Sequence, residues 1–135
     1  MRVKCVVDTD VLTSAVLTKG AHFRIVEHLI KNNALIFSKE TISELSSRII
    51  QPKFDKYVSA EDREAYVNNL ILSADLVIID NLIQGCRDRG DDKFLETAVK
   101  GDARFIISGD QDLLTMHRFE GVDIVTVQEF AVHTV

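Results

Sequence analysis

The order of its apolar segments constrains the fold of this chain more than any other feature. Five short, mainly β-branched runs alternate with segments in which apolar residues recur at helical spacing. Runs with so little polar alternation are typical of strands buried on both faces of a sheet. The runs span residues 3–7, 34–37, 76–79, 105–107 and 124–127.

Helical spacing is clear in the segments between these runs, at residues 23–30, 42–49, 66–71 and 94–98. Strands that alternate with helices indicate βαβ units. We therefore predict the α/β class, with a mainly parallel five-stranded sheet and helices on both of its faces.

Length and composition predict one domain that spans residues 1–135. The sequence is 46% hydrophobic and 27% charged, and a single proline leaves no sign of a linker. No segment approaches the roughly 18 consecutive apolar residues that a membrane span needs. Cys5 and Cys86 form no CxxC motif, and the four histidines lack zinc-like spacing. These features predict a cytoplasmic protein, and the net charge of −5 argues against a general nucleic-acid binder.

Acidic residues collect where the predicted strands end and the predicted helices begin. The four clusters are Asp8 with Asp10, Glu44, Asp91 with Asp92, and Asp110 with Asp112. Right-handed crossovers put the strand-to-helix turns along one edge of a parallel sheet. Because ligands bind at that edge, we expect the four clusters to converge on one site.

Helix capping is the competing explanation for the same residues, because Asp and Ser side chains accept hydrogen bonds from the first N–H groups of a helix. The candidate caps are Asp91, the pair Ser108 and Gln111, and the pair Thr41 and Glu44. Capping does not require doubled acids, however. Nor does it account for Glu44 if that helix already begins near Ser38.

Converging carboxylates repel each other unless a cation lies between them. Carboxylate and water oxygens are the ligands that Mg²⁺ and Mn²⁺ prefer. Such ions can activate a water and stabilise the leaving oxygen of a phosphodiester. The acidic clusters therefore favour a hydrolase that uses Mg²⁺ or Mn²⁺.

Four segments carry a family resemblance. In this order, "VVDTDVLTSAV", "FSKETISELSSRI", "CRDRGDDKFLETAV" and "FIISGDQDLL" resemble the PIN domain, and in particular the VapC-type toxin ribonucleases of bacterial and archaeal toxin–antitoxin pairs. The closing "VDIVTVQEF" resembles the end of the same subgroup. The resemblance implies a three-layer α/β/α sandwich. It also implies a Mg²⁺- or Mn²⁺-dependent endoribonuclease that cleaves RNA and is inhibited by a small antitoxin protein.

Carried over by position, the resemblance assigns the site. The catalytic residues would be Asp8, Glu44, Asp92 and Asp110, and the metal ligands would be Asp8, Asp92, Asp110 and Asp112. The auxiliary residues would be Asp10, Asp91 and Ser108. We prefer Asp92 to Asp91 because its spacing to Leu95 and Ala98 puts it at the start of the buried helix. Asp10 departs from the family, which commonly has Asn there. The residues that bind RNA stay unassigned.

Two other functions remain open. A haloacid-dehalogenase-like phosphatase has a DxD motif similar to Asp8-Thr9-Asp10, but here the following Thr is missing, the spacing after Asp110 is two rather than four, and Glu44 has no role. A non-catalytic PIN-like module would bind RNA or a protein without cutting. The apolar helix at residues 66–72 is explained by core packing, or by an interface with a second copy of the chain or with an antitoxin peptide.

Overall fold

The computed structural model describes residues 3–86 and 88–134, which form six strands and seven α-helices. The strands are β1 (Cys5–Val7), β2 (Ile36–Ser38), β3 (Asp75–Val77), β4 (Phe105–Ile107), β5 (Arg118–Phe119) and β6 (Val122–Val125). The helices are α1 (Thr9–Thr18), α2 (Ala21–Lys31), α3 (Lys39–Ile49), α4 (Ala60–Ser73), α5 (Asp92–Lys100), α6 (Gln111–Leu114) and α7 (Val127–Thr134). Short 3-10 turns lie at Pro52–Phe54 and Arg89–Asp91.

Five of the strands run parallel, which confirms a mainly parallel central sheet, but they are divided between a four-stranded sheet in the order β1-β4-β6-β5 and a two-stranded sheet of β2 and β3. β4 pairs in parallel with β1 and β6, and β2 pairs in parallel with β3. A single parallel bridge between Cys5 and Leu35 connects β1 to the segment that leads into β2. The two-residue β5 pairs antiparallel with β6 and is a sixth strand that the prediction lacks. It is too short for a hydrophobic run to mark it.

Successive residues of the strands face two different cores, which confirms helices on both faces of the sheet. Cys5 and Val7 pack in a core with residues of α1, α2, α3, α4 and α7. Val6, between them, packs in a second core with residues of α5 and α6. Alternation of this kind follows from the two-residue period of a strand. The three layers match the predicted α/β/α sandwich.

Two predicted strand boundaries differ from the structure. The run 76–79 extends beyond β3, and Ile78 is 92% exposed. The run 124–127 is cut short because Val127 already begins α7. Thr126 and Glu129 exchange backbone and side-chain hydrogen bonds in a capping box, which starts the helix and ends the strand.

Helix α4 uses most of its apolar stripe inside the protein. Val67 and Leu70 are buried in the core, and the Tyr66 hydroxyl donates to the Leu12 carbonyl at 2.8 Å. Leu72 points outward and is 86% exposed. Core packing therefore accounts for most of the stripe. Among the described residues, no helix combines the length and apolar composition that crossing a bilayer requires.

Arg63, in the first turns of α4, is buried with 1% of its surface exposed. Its guanidinium donates to the carbonyls of Val58, Ile49 and Gln51 at 3.1, 2.6 and 3.2 Å. It also forms an ion pair with Asp55. One side chain thus joins the end of α3, the following 3-10 turn and the start of α4.

Candidate metal centre

The predicted acidic clusters meet in a cleft at the carboxyl ends of β1 and β4. The cleft encloses about 250 Å³. Its walls are almost entirely polar, and six of the lining side chains are carboxylates. The lining residues are Asp8, Asp10, Glu44, Arg48, Asp88, Gly90, Asp91, Phe94 and Asp110.

Asp8 lies at the base of the cleft, directly after β1, and is 5% exposed. Its Oδ1 accepts the Asp10 N–H at 2.7 Å, and its Oδ2 accepts the Ser108 hydroxyl at 2.5 Å. The same Ser108 oxygen accepts the Asp110 N–H at 3.0 Å. Burial raises the pKa of the Asp8 carboxyl, and the hydrogen bonds from Ser108 and Asp10 oppose that rise. Ser108 therefore connects the two acidic turns that follow β1 and β4.

Asp88, Asp91 and Asp110 form the tightest group of acids in the cleft. Each offers a carboxylate oxygen, and these three oxygens lie within 4.8 Å of one another. The Asp110 side chain also accepts the Asp112 N–H at 2.8 Å, and the Asp88 side chain accepts the Gly90 N–H at 2.9 Å. Asp91 precedes α5 but makes no capping hydrogen bond. Capping thus explains part of the environment of Asp88 and Asp110 and none of that of Asp91.

Among the described residues, no lysine or arginine pairs with the Asp91 carboxylate. Its Oδ2 is buried and has no hydrogen-bond partner among the described residues. Burial and the neighbouring carboxylates of Asp110, Asp88 and Asp8 raise the pKa of Asp91 to about 7. In the absence of a metal, a proton therefore reduces the repulsion at this position. A divalent cation would do so more completely.

Glu44 and Asp10 differ from the other acids because each is neutralised by a basic residue. Lys93 lies 2.7 Å from Glu44 Oε1, and the Thr9 hydroxyl donates to Glu44 Oε2 at 2.5 Å. Although burial opposes ionisation, these two contacts hold the pKa of Glu44 below its usual value. Asp10 forms an ion pair with Arg48. The acid that stands where the family commonly has Asn is thus balanced by a positive charge.

The carboxylates of the cleft therefore fall into two groups, according to whether a basic residue among those described pairs with them. Among the described residues, no lysine or arginine forms a salt bridge with Asp8, Asp88, Asp91 or Asp110, whereas Glu44 and Asp10 are both paired. Four carboxylates without basic partners, one of them with an unsatisfied buried oxygen, fit a hard divalent cation such as Mg²⁺ or Mn²⁺. Oxygen donors of this kind do not distinguish the two ions.

The structure differs from the sequence interpretation at Asp92 and Asp112. Asp92 points away from the cleft, and its Oδ1 accepts the N–H groups of Gly85 and Cys86 at 3.1 and 2.9 Å. Its spacing to Leu95 and Ala98 places it on the buried side of α5, which is the reason it does not face the cleft. Asp91 stands in the cleft instead. Asp112 is half-buried beside Asp110 and does not line the cleft.

The sequence interpretation also missed Asp88. This residue precedes the 3-10 turn Arg89–Asp91, and its contact with Gly90 is an Asx turn. The signal for it was the spacing Asp-x-Gly-Asp in "CRDRGDD", in which one turn of 3-10 helix brings the first and last acids to the same side.

The raised pKa of Asp91 predicts that metal binding depends on pH. Below about pH 7 the Asp91 carboxyl holds a proton that a metal has to displace. Mn²⁺ affinity should therefore rise with pH up to about 7 and then level off. Isothermal titration calorimetry at pH 6 in buffers of different ionisation enthalpy should show release of about one proton per ion. Equal proton release at pH 6 and pH 8.5 would contradict this assignment.

The stability of the metal-free protein should change with pH for the same reason. The folded pKa of Asp91 is above its unfolded value of 3.8, so the folded state binds more protons between these two values. The stabilisation from this group is complete at low pH and is lost as the pH rises through about 7. Asp91→Asn should remove this part of the pH dependence in thermal melts, and Asp102→Asn, at an exposed position on another turn, should leave it in place.

Relatives and solved structures extend these observations. Uncharacterized protein MJ1680 of Methanocaldococcus jannaschii is 29% identical over 119 residues, which cover 86% of this chain and 76% of that protein. A chain of VapBC2 from Rickettsia felis, bound to a promoter DNA fragment, superposes with a TM-score of 0.60 at 14% identity, over 90% of this chain and 97% of its own. PAE2754 from Pyrobaculum aerophilum gives a TM-score of 0.63 at 15% identity, over 97% and 88% of the two chains.

At 14% and 15% identity, the two solved structures show similarity to this chain in fold alone. The sequence profile of the PIN domain matches residues 4–112, which include every acid of the cleft. Together with the parallel sheet, the two helical layers and the acidic cleft at its carboxyl edge, this match shows that the chain belongs to the PIN domain family.

Proposed function

We propose that this protein is a Mg²⁺- or Mn²⁺-dependent endoribonuclease and the toxin of a toxin–antitoxin pair. The observation that carries the proposal is the convergence of Asp88, Asp91 and Asp110 with Asp8 in one cleft, with no basic partner among the described residues. Membership of the PIN family supports phosphodiester hydrolysis. The choice of RNA is supported by the resemblance of the four sequence segments to VapC-type ribonucleases.

The roles of the residues follow from their contacts. Asp8, Asp91 and Asp110 would hold the ion, with Asp88 as a further carboxylate, so that Asp91 takes the place first given to Asp92. A bound Mg²⁺ or Mn²⁺ would activate a water and stabilise the charge that develops on the scissile phosphate. Glu44, fixed by Thr9 and Lys93, stays ionised and would orient the attacking water.

Two basic side chains lie beside these acids. Arg48 lines the cleft, and Lys93 lies within 2.7 Å of Glu44. Both would contact phosphate oxygens of the RNA while they stay paired with Asp10 and Glu44, because each has further N–H donors free for a second acceptor. Their position lets a protein with a net charge of −5 accept a polyanion at this one place.

Cleavage of a labelled single-stranded RNA tests the proposal. With Mg²⁺ or Mn²⁺, the wild-type protein should cut the RNA, and Asp8→Asn should lower the rate by at least about 100-fold because a ligand is lost. Asp102→Asn makes the same chemical change at an exposed, left-handed position outside the cleft and should keep full activity. Equal cleavage by wild type and Asp8→Asn would refute the assignment.

The two alternatives predict other results. Mn²⁺ binding without RNA cleavage would support the non-catalytic module. The phosphatase loses support because both oxygens of Asp8 accept hydrogen bonds, from Asp10 and Ser108, and because the chain belongs to the PIN family. A phosphoryl group trapped on Asp8 by beryllium fluoride would restore it.

A small antitoxin protein is the proposed partner. A chain of VapBC2 from Rickettsia felis is among the structures that share this fold. An open groove of about 370 Å³ lies between α2 and α4, where Phe23, Val26, Ile30 and Tyr66 offer an apolar lining. Such a groove suits the apolar face of a helix. The homodimer also stays a proposal, for which the exposed Leu72 is the remaining apolar residue of the α4 stripe.

A further inference from the structure

Two buried carboxylates on α5 hold the segment that leads into the cleft. Residues 78–88 join β3 to the 3-10 turn before α5 and contain no helix or strand among the residues described there. Glu96 is 1% exposed, and its carboxylate accepts the N–H groups of Asp80, Asn81 and Ile83 at 2.7, 3.2 and 3.3 Å. Three backbone donors on one side chain fix the first half of the segment.

Asp92 holds the second half in the same way. Its Oδ1 accepts the N–H groups of Gly85 and Cys86 at 3.1 and 2.9 Å. Asp92 and Glu96 are four residues apart, so they lie one above the other on a single side of α5. Five backbone N–H groups of one segment therefore donate to two side chains of one helix.

Core packing alone does not explain why carboxylates occupy these two buried positions of α5. Carboxyl side chains are almost never fully buried without partners, because they lose their contacts with water. An apolar residue at position 96 would fill the same space without that cost. A carboxylate has the advantage that it fixes three N–H groups at once, in the directions that its oxygens set. The arrangement thus fixes the path of the backbone between the buried side chains of Ile79 and Cys86, where Leu82 is exposed.

That segment ends at Asp88, the most exposed member of the acidic group. Asp88 lies on a turn, and its described side-chain hydrogen bond goes to Gly90, two residues away. The hydrogen bonds of the 3-10 turn hold Asp88 beside Asp91, and residues 78–86 lead the chain into that turn. We propose that Glu96, together with Asp92, is a positioning residue that holds Asp88 in the metal site through this segment. The inference rests on the proposed metal site and names a residue outside it.

Mn²⁺ titration of the intact protein tests the inference. Glu96→Gln and Glu96→Asp should each weaken Mn²⁺ binding by about tenfold, the scale of outer-shell substitutions. The first variant keeps the length of the side chain and removes its charge, and the second keeps the charge and shortens the side chain. Equal losses in the two show that a carboxylate is needed at its full reach, and exclude a long-range attraction between the Glu96 charge and the ion. Ser59→Ala removes the N-cap hydrogen bond of α4 to Asp62 and serves as the control for lowered stability alone. It should bind Mn²⁺ as wild type does.

Hydrogen exchange and a double substitution show whether Glu96 acts through Asp88. In Glu96→Gln, the amides of residues 80–83 should exchange faster while those of β1 and β4 stay protected. In Asp88→Asn, Mn²⁺ binding should weaken with no change in exchange at residues 80–83. Adding Glu96→Gln to Asp88→Asn should weaken binding by less than twofold further.

Three results would overturn the inference alone, and a fourth would overturn the proposed function as well. Wild-type affinity in both Glu96 variants, unchanged exchange in Glu96→Gln, or a full additional tenfold loss in the double variant would each show that Glu96 is merely structural. In these cases the proposed metal site would stand. Failure of the wild-type protein to bind Mn²⁺ would overturn the proposed function and this inference together.

Discussion

Asp91→Asn and Asp92→Asn are isosteric changes at neighbouring positions. We expect them to change the melting temperature of the metal-free protein in opposite directions. Asp91→Asn should abolish Mn²⁺ binding, lower RNA cleavage on the order of 1,000-fold and, above about pH 7, where the Asp91 carboxyl is ionised, raise the melting temperature of the metal-free protein. The activity falls because a central ligand is lost. The stability rises because Asp91 has an unsatisfied buried oxygen and three acidic neighbours, whose repulsion the amide removes.

Asp92→Asn should destabilise the protein by about 2 kcal/mol, because the Gly85 and Cys86 N–H groups lose an ionised acceptor. It should keep detectable Mn²⁺ binding, since no cleft carboxylate is removed. Differential scanning fluorimetry with and without Mn²⁺, beside the RNA cleavage assay, measures both properties. A metal-free Asp91→Asn protein that melts below wild type, or an Asp92→Asn protein that melts above it, would indicate that Asp92, and not Asp91, is the metal ligand.

Arg63→Met is expected to cause the largest loss of stability, about 3–5 kcal/mol. The substitution fills much of the same volume but leaves the carbonyl groups of Val58, Ile49 and Gln51 without the donors that the guanidinium supplies. Urea unfolding at constant pH measures the change. The slope of the transition should stay at the wild-type value, because the same surface is exposed on unfolding.

Arg24→Met is the matched control for this prediction. Arg24 is exposed on α2, so its loss should change the free energy of unfolding by no more than about 0.5 kcal/mol. A loss below about 1 kcal/mol in Arg63→Met would mean that water reaches the three carbonyls and replaces the arginine.

The fold could be predicted because its signals are local and repeated. Strands β1, β2 and β4 coincide with apolar runs, and α2 to α5 coincide with helical spacing, since burial on one or two faces leaves a periodic pattern. The boundary at Val127 could not be predicted from hydrophobicity, because the predicted strand 124–127 has an apolar residue at its last position. The capping box at Thr126 starts the helix there instead. β5 depends on pairing with β6 and has no pattern of its own.

The site could be predicted as far as strand topology determines it. Asp8 and Asp110 follow paired parallel strands, so their proximity follows from the sheet, and Glu44 follows from the helix beside it. The choice between Asp91 and Asp92 depends on the first turn of α5, where one residue is a rotation of about 100°. Asp88 was missed because it joins the cleft through the 3-10 turn Arg89–Asp91. A single turn has no repeating pattern, and the spacing Asp-x-Gly-Asp is its one signal in the sequence.

The hydrogen bond between Ser108 and Asp8 joins residues 100 positions apart. The candidate metal centre is therefore assembled from residues that the ribosome adds at different times. The first half of the site, with Asp8 and Glu44, is made early. β4, Ser108 and Asp110 come near the end of the 135 residues. A partly synthesised chain therefore holds carboxylates but no complete centre. The proposed nuclease cannot attack RNA at the ribosome before Asp110 has been translated.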